Sequence, residues 1–511
     1  MKLISNRNLT FTNNEVFLIS ALSALSMLVC FWMQYIQHGR LNPDSVLYFE
    51  SAKYISMGDW SKATLIYNWP FYSICIAFVH KITSLDISHA AELVNTILFG
   101  ITSASFLQII RQLNGKKLEI VCGVLVLLSS RHIVGEMLGM QTRDEGLWAF
   151  LLLSTVYFID YYKYSRLKSA LLWQLTILIA ALFRIEAISL MLFLPLTLLI
   201  GPQHFTFKLQ HITKCYLLLV AIAIILLTSL YLEYNFGNFG RLGELSITNF
   251  YVKFTATFLS RAVKFGELVL GKYLEGYAIT SLLLTIAYII ALKIIHTTGV
   301  INFILCLLAG KKRKVYFEVD AFIVLFATII ISYITLFLFV TQSFVMVGRY
   351  AASISLIILI FASFSVADII GQLRDGVNDK KALIAIALIL FSLVNLTKNL
   401  TPEICKTHYI KQSVEWLKNY NKENYATFYD DKVTRYFAGM EFIQEANQSL
   451  SYIENSVNSG SIEENHFLLI HYNEKKREKT KLLNKTLASY RKIKKFQDDK
   501  SNYIVIYEKT N

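Results

Sequence analysis

The chain has 511 residues, of which 55% are hydrophobic and 14% aromatic, against 17% charged and only five prolines. Ordinary soluble domains do not have that balance, and a polytopic membrane protein is expected. The formal charge of +14 does not point to nucleic acid as a partner, because the basic residues cluster in short connections between apolar stretches.

In chain order, Val16 to Tyr35 is the first stretch to reach the roughly 20 residues that cross a hydrocarbon core. It is too long for a signal-peptide core and no small-residue cleavage site follows, so it is expected to remain as an anchor. After it comes Asn42-Pro-Asp-Ser-Val-Leu-Tyr48, then Ala52 and Gly58-Asp-Trp60. An ionised carboxylate beside the bilayer is costly unless it pairs, binds a cation or takes part in chemistry, which makes Asp44 a functional candidate. The competing reading is a helix-capping aspartate next to Pro43. Pro70 to Lys81 is apolar but short, and reads as an amphipathic helix on the outer surface.

Spans are expected near 15–37, 90–110, 118–133, 146–163, 168–183, 186–201, 214–232, 278–308, 319–341, 350–371 and 381–399, about eleven in all. The stretch 278–308 is overlong, contains His296-Thr-Thr-Gly299, and can also be read as two short spans. With Lys2 and Arg7 cytoplasmic, alternate connections carry Arg111/Lys116/Lys117, Lys163/Arg166/Lys168, Lys208/Lys214, Lys311/Lys312/Arg313/Lys314 and Arg374/Lys380/Lys381. That is the cytoplasmic Lys/Arg excess orientation requires, and it places the tail outside. The fold expected is therefore an all-α membrane domain over 1–399, with outer loops 38–89 and 233–277, followed by a small α/β domain over 400–511. In the tail, the apolar runs Tyr425 to Tyr429, Phe467 to His471 and Tyr503 to Tyr507 read as strands, and Ile410 to Tyr420 and Lys479 to Lys492 as helical.

Cys30, Cys75, Cys122, Cys215 and Cys306 sit in apolar or interfacial runs, which implies neither a disulfide framework nor a metal cluster. GxxxxGK[ST], GxGxxG, HExxH and CxxC are all absent, so ATP-driven transport, nucleotide binding and zinc hydrolysis in their common forms are disfavoured. What remains is a set of charges at span ends on the side of Asp44: Arg131-His132 with Glu136, Arg143-Asp144-Glu145, Arg184 with Glu186, and Arg349-Tyr350. Any one arginine alone reads equally well as a snorkelling interfacial cation. Together, carboxylates that accept a proton or hold a cation and arginines that grip phosphate describe a phosphate-ester site at the membrane surface.

The first span, the loop with Asp44-Ser-Val-Leu-Tyr48, Ala52 and Gly58-Asp59-Trp60, the Asn68-Trp-Pro-Phe-Tyr72 segment, Arg143-Asp-Glu-Gly-Leu147, Leu182-Phe-Arg184-Ile-Glu186 and Gly348-Arg-Tyr350 occur in an order that resembles the GT-C superfamily. Its members are polytopic glycosyltransferases, among them protein O-mannosyltransferases and aminoarabinose lipid A transferases. Val414-Glu-Trp-Leu417 and Tyr429-Asp-Asp431 through Gly439 extend the resemblance into the tail. It implies transfer, with inversion, of a sugar from a polyprenyl-phosphate carrier to a lipid, glycan or protein acceptor outside the membrane. It also implies that Asp44 is the base on the acceptor hydroxyl and that Asp144 or Glu145 is a second acid. Arg349, with Arg143, Arg184 and Arg131, would bind the carrier phosphate, and a divalent cation, Mg²⁺ or Mn²⁺, would be held by Asp44 and Asp144. Asp44-Ser45 stands where protein O-mannosyltransferases carry two carboxylates, which argues against protein mannosylation and leaves the cofactor open.

Two other classes fit many spans with interfacial arginines: an envelope-polysaccharide flippase or polymerase, or a transporter, and a non-catalytic relative. A transporter is expected to carry charges at the bilayer midplane, not at span ends on one side. Few prolines with Lys, Ile and Asn in abundance suggest a bacterium, and hence an inner-membrane protein whose site faces the periplasm.

Overall fold

The computed structural model describes residues 13–37, 41–200, 205–221, 251–252, 254–311, 317–374, 379–401, 408–446, 448–473, 482–483, 486–497 and 502–510. Lys2, Arg7, Arg241, the latter half of the expected span 214–232 and residues 233–250 of the second outer loop lie outside the described residues. The chain divides into two compact units. One gathers Met1–Trp32, Leu93–Leu138 and Arg143–Leu400; the other gathers Met33–Glu92, Gly139–Thr142 and Thr401–Asn511. The break at Leu400 coincides with the change in composition, while the loop after the first helix groups with the tail.

Among the described residues five helices are long and apolar enough to cross a membrane: Asn13–Ile36 (α1), Ile87–Gln112 (α5), Glu275–Thr298, Val319–Ser343 and Gly348–Gln372. This is the expected helical membrane protein, but the count of eleven does not hold, and the parity argument for sidedness falls with it. The reasons are local. The third expected span breaks after α6 (Lys117–Leu128) and turns by 46° into Arg131–Met137, and counting that bent pair as one span brings the number to six. Gly299, at φ +86°, separates Ala278–Thr298 from Val300–Lys311, so 278–308 is two helices. The segments at 168–183 and 186–201 are a 17-residue helix, α8 (Leu167–Phe183), and a short one, α9 (Ala187–Phe193), which tightens into a 3₁₀ turn containing Pro195. Between them and α6 runs α7 (Asp144–Tyr164), which starts on two acids and carries Asp160 and Lys163.

In the second unit, α2 (Pro43–Met57) is followed by α3 (Trp60–Ile66) and α4 (Phe71–Thr83). Helix α4 matches the expected short amphipathic segment: Tyr72, Ser73, Ile76 and Ala77 are buried while Phe78 and Ile82 are exposed. The tail forms a four-stranded sheet in the order β1-β2-β4-β3, from Thr427–Tyr429 (β1), Phe467–Asn473 (β2), Tyr490–Gln497 (β3) and Asn502–Lys509 (β4). Strand β1 runs parallel to β2, and β4 is antiparallel to both its neighbours. The His408–Tyr420 helix buries Val414 and Leu417 against the sheet, in one core with Leu469, Ile504, Ile506 and Val46 of α2. Val46 in that core explains why the loop belongs with the tail. The expectation of a helix reaching Lys492 is overturned, since Tyr490–Gln497 is an edge strand. Its Arg491, Lys492, Lys494 and Lys495 face solvent, the usual protection of an unpaired strand edge.

Candidate functional site

In the first unit the charged residues come from helix ends. Helix α8 stops when Arg184 takes an extended backbone (φ −145°, ψ 123°), and α9 starts after Glu186. On the facing helix Gly146 lies flush against the Phe183 ring, in the space a Cβ would need. That close approach of α7 to α8 sets the Arg184 guanidinium beside Asp144.

Arg184 is buried, with 6% of its side chain exposed, and donates from Nη1 to Asp144 Oδ1, from Nη2 to Glu186 Oε1 at 2.6 Å and from Nε to Glu186 Oε2 at 3.3 Å. Each of its three nitrogens therefore meets a carboxylate. Arg349 stands at the start of the Gly348–Arg374 helix with its Nη1 4.0 Å from Asp144 Oδ2 and 17% of its side chain exposed. Both guanidinium groups approach the Tyr350 ring, at 4.7 Å for Arg184 and 5.4 Å for Arg349. Arg143 donates to the Phe183 carbonyl at 3.5 Å and acts electrostatically on Glu186.

An open cleft lies beside this cluster. Arg184, Glu186 and Arg349 form its charged part, and Leu151, Leu190, Leu336 and Phe339, further along their helices, form its apolar part. Thr335 Oγ1 donates to Ser189 Oγ at 2.7 Å across it. A space with guanidinium at one part and leucines along the rest suits an anionic amphiphile.

The remaining expected residues of this unit have other surroundings. Glu145 is fully buried on the first turn of α7 and does not line the cleft. Arg131 is exposed and lies away from the cleft lining. Its neighbour His132, which the sequence shows only as one of the charged group Arg131-His132 with Glu136, carries a constraint on the site. Its Nδ1 bonds Glu136 at 2.9 Å, and its ring packs on Gly348, where a Cβ would come within 2.5 Å of Cε1. Gly348 is therefore set by a rigid imidazole behind it, one residue before Arg349.

Asp44 belongs to the second unit. The helix-capping role goes instead to Asn42, whose Oδ1 accepts from the Asp44 backbone N–H at 2.9 Å; Asp44 sits in the first turn of α2, half-buried. Its electrostatic partner is Lys432 of the tail, whose ammonium is pushed below the usual lysine range by burial, a shift opposed by Asp44, Asp431 and Glu445. The other residues of that motif build the fold. Tyr48 is buried edge-on to Tyr67 and Tyr72 at 5.1 and 5.2 Å, and Gly58, at φ +85°, ends α2 so that Asp59 can cap α3.

Among the described residues no group of three or more His, Cys, Asp or Glu side chains is arranged to hold a metal ion. Asp144, 1% exposed and bound by Arg184, does not fit the ligand role expected of it. No protein-family model matches the chain, and no curated protein matches it.

Proposed function

We propose that the protein is an inverting membrane glycosyltransferase that moves a sugar from a polyprenyl-phosphate donor to a hydroxyl of an envelope lipid, glycan or protein. We place it in a bacterial inner membrane with its site facing the periplasm. The observation that carries the reading is the cleft of the first unit, which joins the Arg349 guanidinium and the Asp144–Arg184–Glu186 cluster to an apolar lining. A lipid phosphate presents the matching pattern of one anionic group on a hydrocarbon chain.

Of the four arginines that the sequence offers as phosphate ligands, Arg184 and Arg349 are given different work. Arg184, saturated by two carboxylates, is the rigid part that fixes Asp144. Asp144 in turn orients Arg349, which lines the cleft and is given the donor phosphate. In the reaction the bond between the anomeric carbon and the phosphate oxygen breaks, and the acceptor oxygen bonds to that carbon from the opposite face. The leaving polyprenyl phosphate takes up the electron pair, and the Arg349 guanidinium at the phosphate stabilises that charge as it develops. Asp44 removes the acceptor proton, a contribution of roughly 10²–10⁴-fold for a well-aligned carboxylate.

Purified protein in nanodiscs should release polyprenyl phosphate from a polyprenyl-phosphate sugar when an envelope extract is supplied. Arg349→Lys keeps the charge but loses the planar two-point grip, and should weaken donor use more than tenfold. Normal donor use by that variant removes the phosphate assignment. Passage of the intact donor across the bilayer with no release would favour a flippase or transporter.

A further inference from the structure

The second unit contains an open cleft of its own, built where α2 meets the Lys432–Ala438 helix of the tail. The two helices share a core through Val46 and Val433, and their rings meet at Phe49 and Tyr436, 5.8 Å apart. Their pairing follows a parallel register: Asp44 and Lys432 interact at the two starts, Phe49 and Tyr436 pack in the middle, and Lys53 and Gly439 line the far end. Asp44 and Lys53 are nine residues apart on a continuous helix, a rise of roughly 14 Å.

The lining mixes functions that rarely occur together in a simple packing defect. Glu50 supplies a half-buried carboxylate, Lys53 an exposed ammonium, and Tyr436 a half-buried ring whose hydroxyl meets Ser88. Burial raises the Glu50 carboxyl against the opposing pull of Lys53, and pushes the Tyr436 phenol up to about 12, with Asp86 and Glu50 adding to it. At the far wall Gly439 ends the tail helix at φ +75°, and a Cβ there would meet nothing within 4 Å, so the wall stays open. From this arrangement we infer that the α2–Tyr436 groove is the acceptor subsite and that it recognises a neutral sugar headgroup whose reacting hydroxyl lies toward Asp44.

The chemistry selects that ligand over others. A sugar hydroxyl both donates and accepts, so it needs a carboxylate and an N–H or O–H donor side by side, which Glu50, Lys53 and Tyr436 provide. Its C–H face packs on an aromatic plane, which the Tyr436 ring provides. An anionic headgroup would meet Glu50 and Asp86, and a bare hydrocarbon chain would desolvate the Glu50 carboxylate and the Lys53 ammonium with no hydrogen bond in return. The inference rests on the glycosyltransferase reading and narrows the acceptor within it.

The test uses the full chain in nanodiscs, with methyl and dodecyl glycosides of glucose, galactose, mannose and N-acetylglucosamine as probes. Binding is read by saturation-transfer NMR and acceptor KM by transfer. We expect at least one glycoside to bind, and Glu50→Gln and Tyr436→Phe each to raise its dissociation constant and its acceptor KM about tenfold while donor KM stays at the wild-type value. Both changes are nearly isosteric, and Lys53→Ala at an exposed position gives a third variant that does not threaten folding. A stronger response to dodecyl than to methyl glycosides in the wild type identifies a lipid-linked acceptor; equal responses identify a free glycan. Glycoside binding that is sensitive to Glu50→Gln without any transfer keeps the groove and removes the transferase reading. Absence of binding by every glycoside, or binding indifferent to all three variants, overturns the subsite.

Discussion

Replacing Arg184 with methionine separates a buried support from a ligand-binding arginine. The side chain is 6% exposed and its three nitrogens meet Asp144 and Glu186, so the variant leaves the Asp144 carboxylate, 1% exposed, to Arg349 at 4.0 Å. Removing one partner of a buried pair typically costs about 3–5 kcal/mol, because the other charge stays in a low-dielectric setting without compensation. Loss of the 4.7 Å contact with the Tyr350 ring adds about 0.5–2 kcal/mol. We expect a clear fall in the thermal midpoint of the purified protein in nanodiscs. Asp144→Asn combined with Arg184→Met should fall less than the sum of the single changes, since the stranded charge is gone. Arg349→Lys should leave the midpoint near wild type and impair donor binding. An Arg184→Met protein with an unchanged midpoint and lost donor affinity would refute this division and return Arg184 to the phosphate.

Gly348→Ala drives a Cβ to 2.5 Å from the His132 ring, an overpacking of about 1–3 kcal/mol that displaces Arg349 and should raise donor KM. His132→Ala in the same chain should restore much of that KM, and failure of this rescue would mean that His132 does not set the position. In the tail, Asp430 accepts from the backbone and ring Nδ1 of His471, with both residues buried. Asp430→Ala should cost about 1–3 kcal/mol in chemical denaturation, and a midpoint equal to wild type would show the pair to be dispensable. Leu417→Ala empties a site in the core shared by the tail sheet and Val46, and should lower stability by about 2–5 kcal/mol.

The long apolar helices were legible because hydropathy over some 20 residues is a one-dimensional signal. Breaks are not: Gly299, the Ser129-Ser130 junction and Pro195 interrupt runs that look continuous, so short helices read as spans. Strands β1, β2 and β4 stood out as apolar runs, whereas β3 hides its period of two behind four basic residues at a sheet edge. At the site, the residue types were readable and their partners were not. Arg184 looked like a phosphate ligand because the chain shows its charge; the carboxylates on its three nitrogens appear only once α7 packs against α8. Asp44 stood out beside the first span, but Lys432, which faces it, lies in the tail and carries no local mark. Nothing beside Gly348 in the chain marks the His132 ring that packs on it.

The account depends most on Asp44 as the base in sugar transfer, and Asp44→Asn tests it directly because the amide has the same shape and cannot take the proton. In a reconstituted assay with polyprenyl-phosphate sugar, the purified variant should keep its thermal midpoint and donor affinity and lose transfer by at least about 10²-fold. Transfer close to wild type would contradict the account.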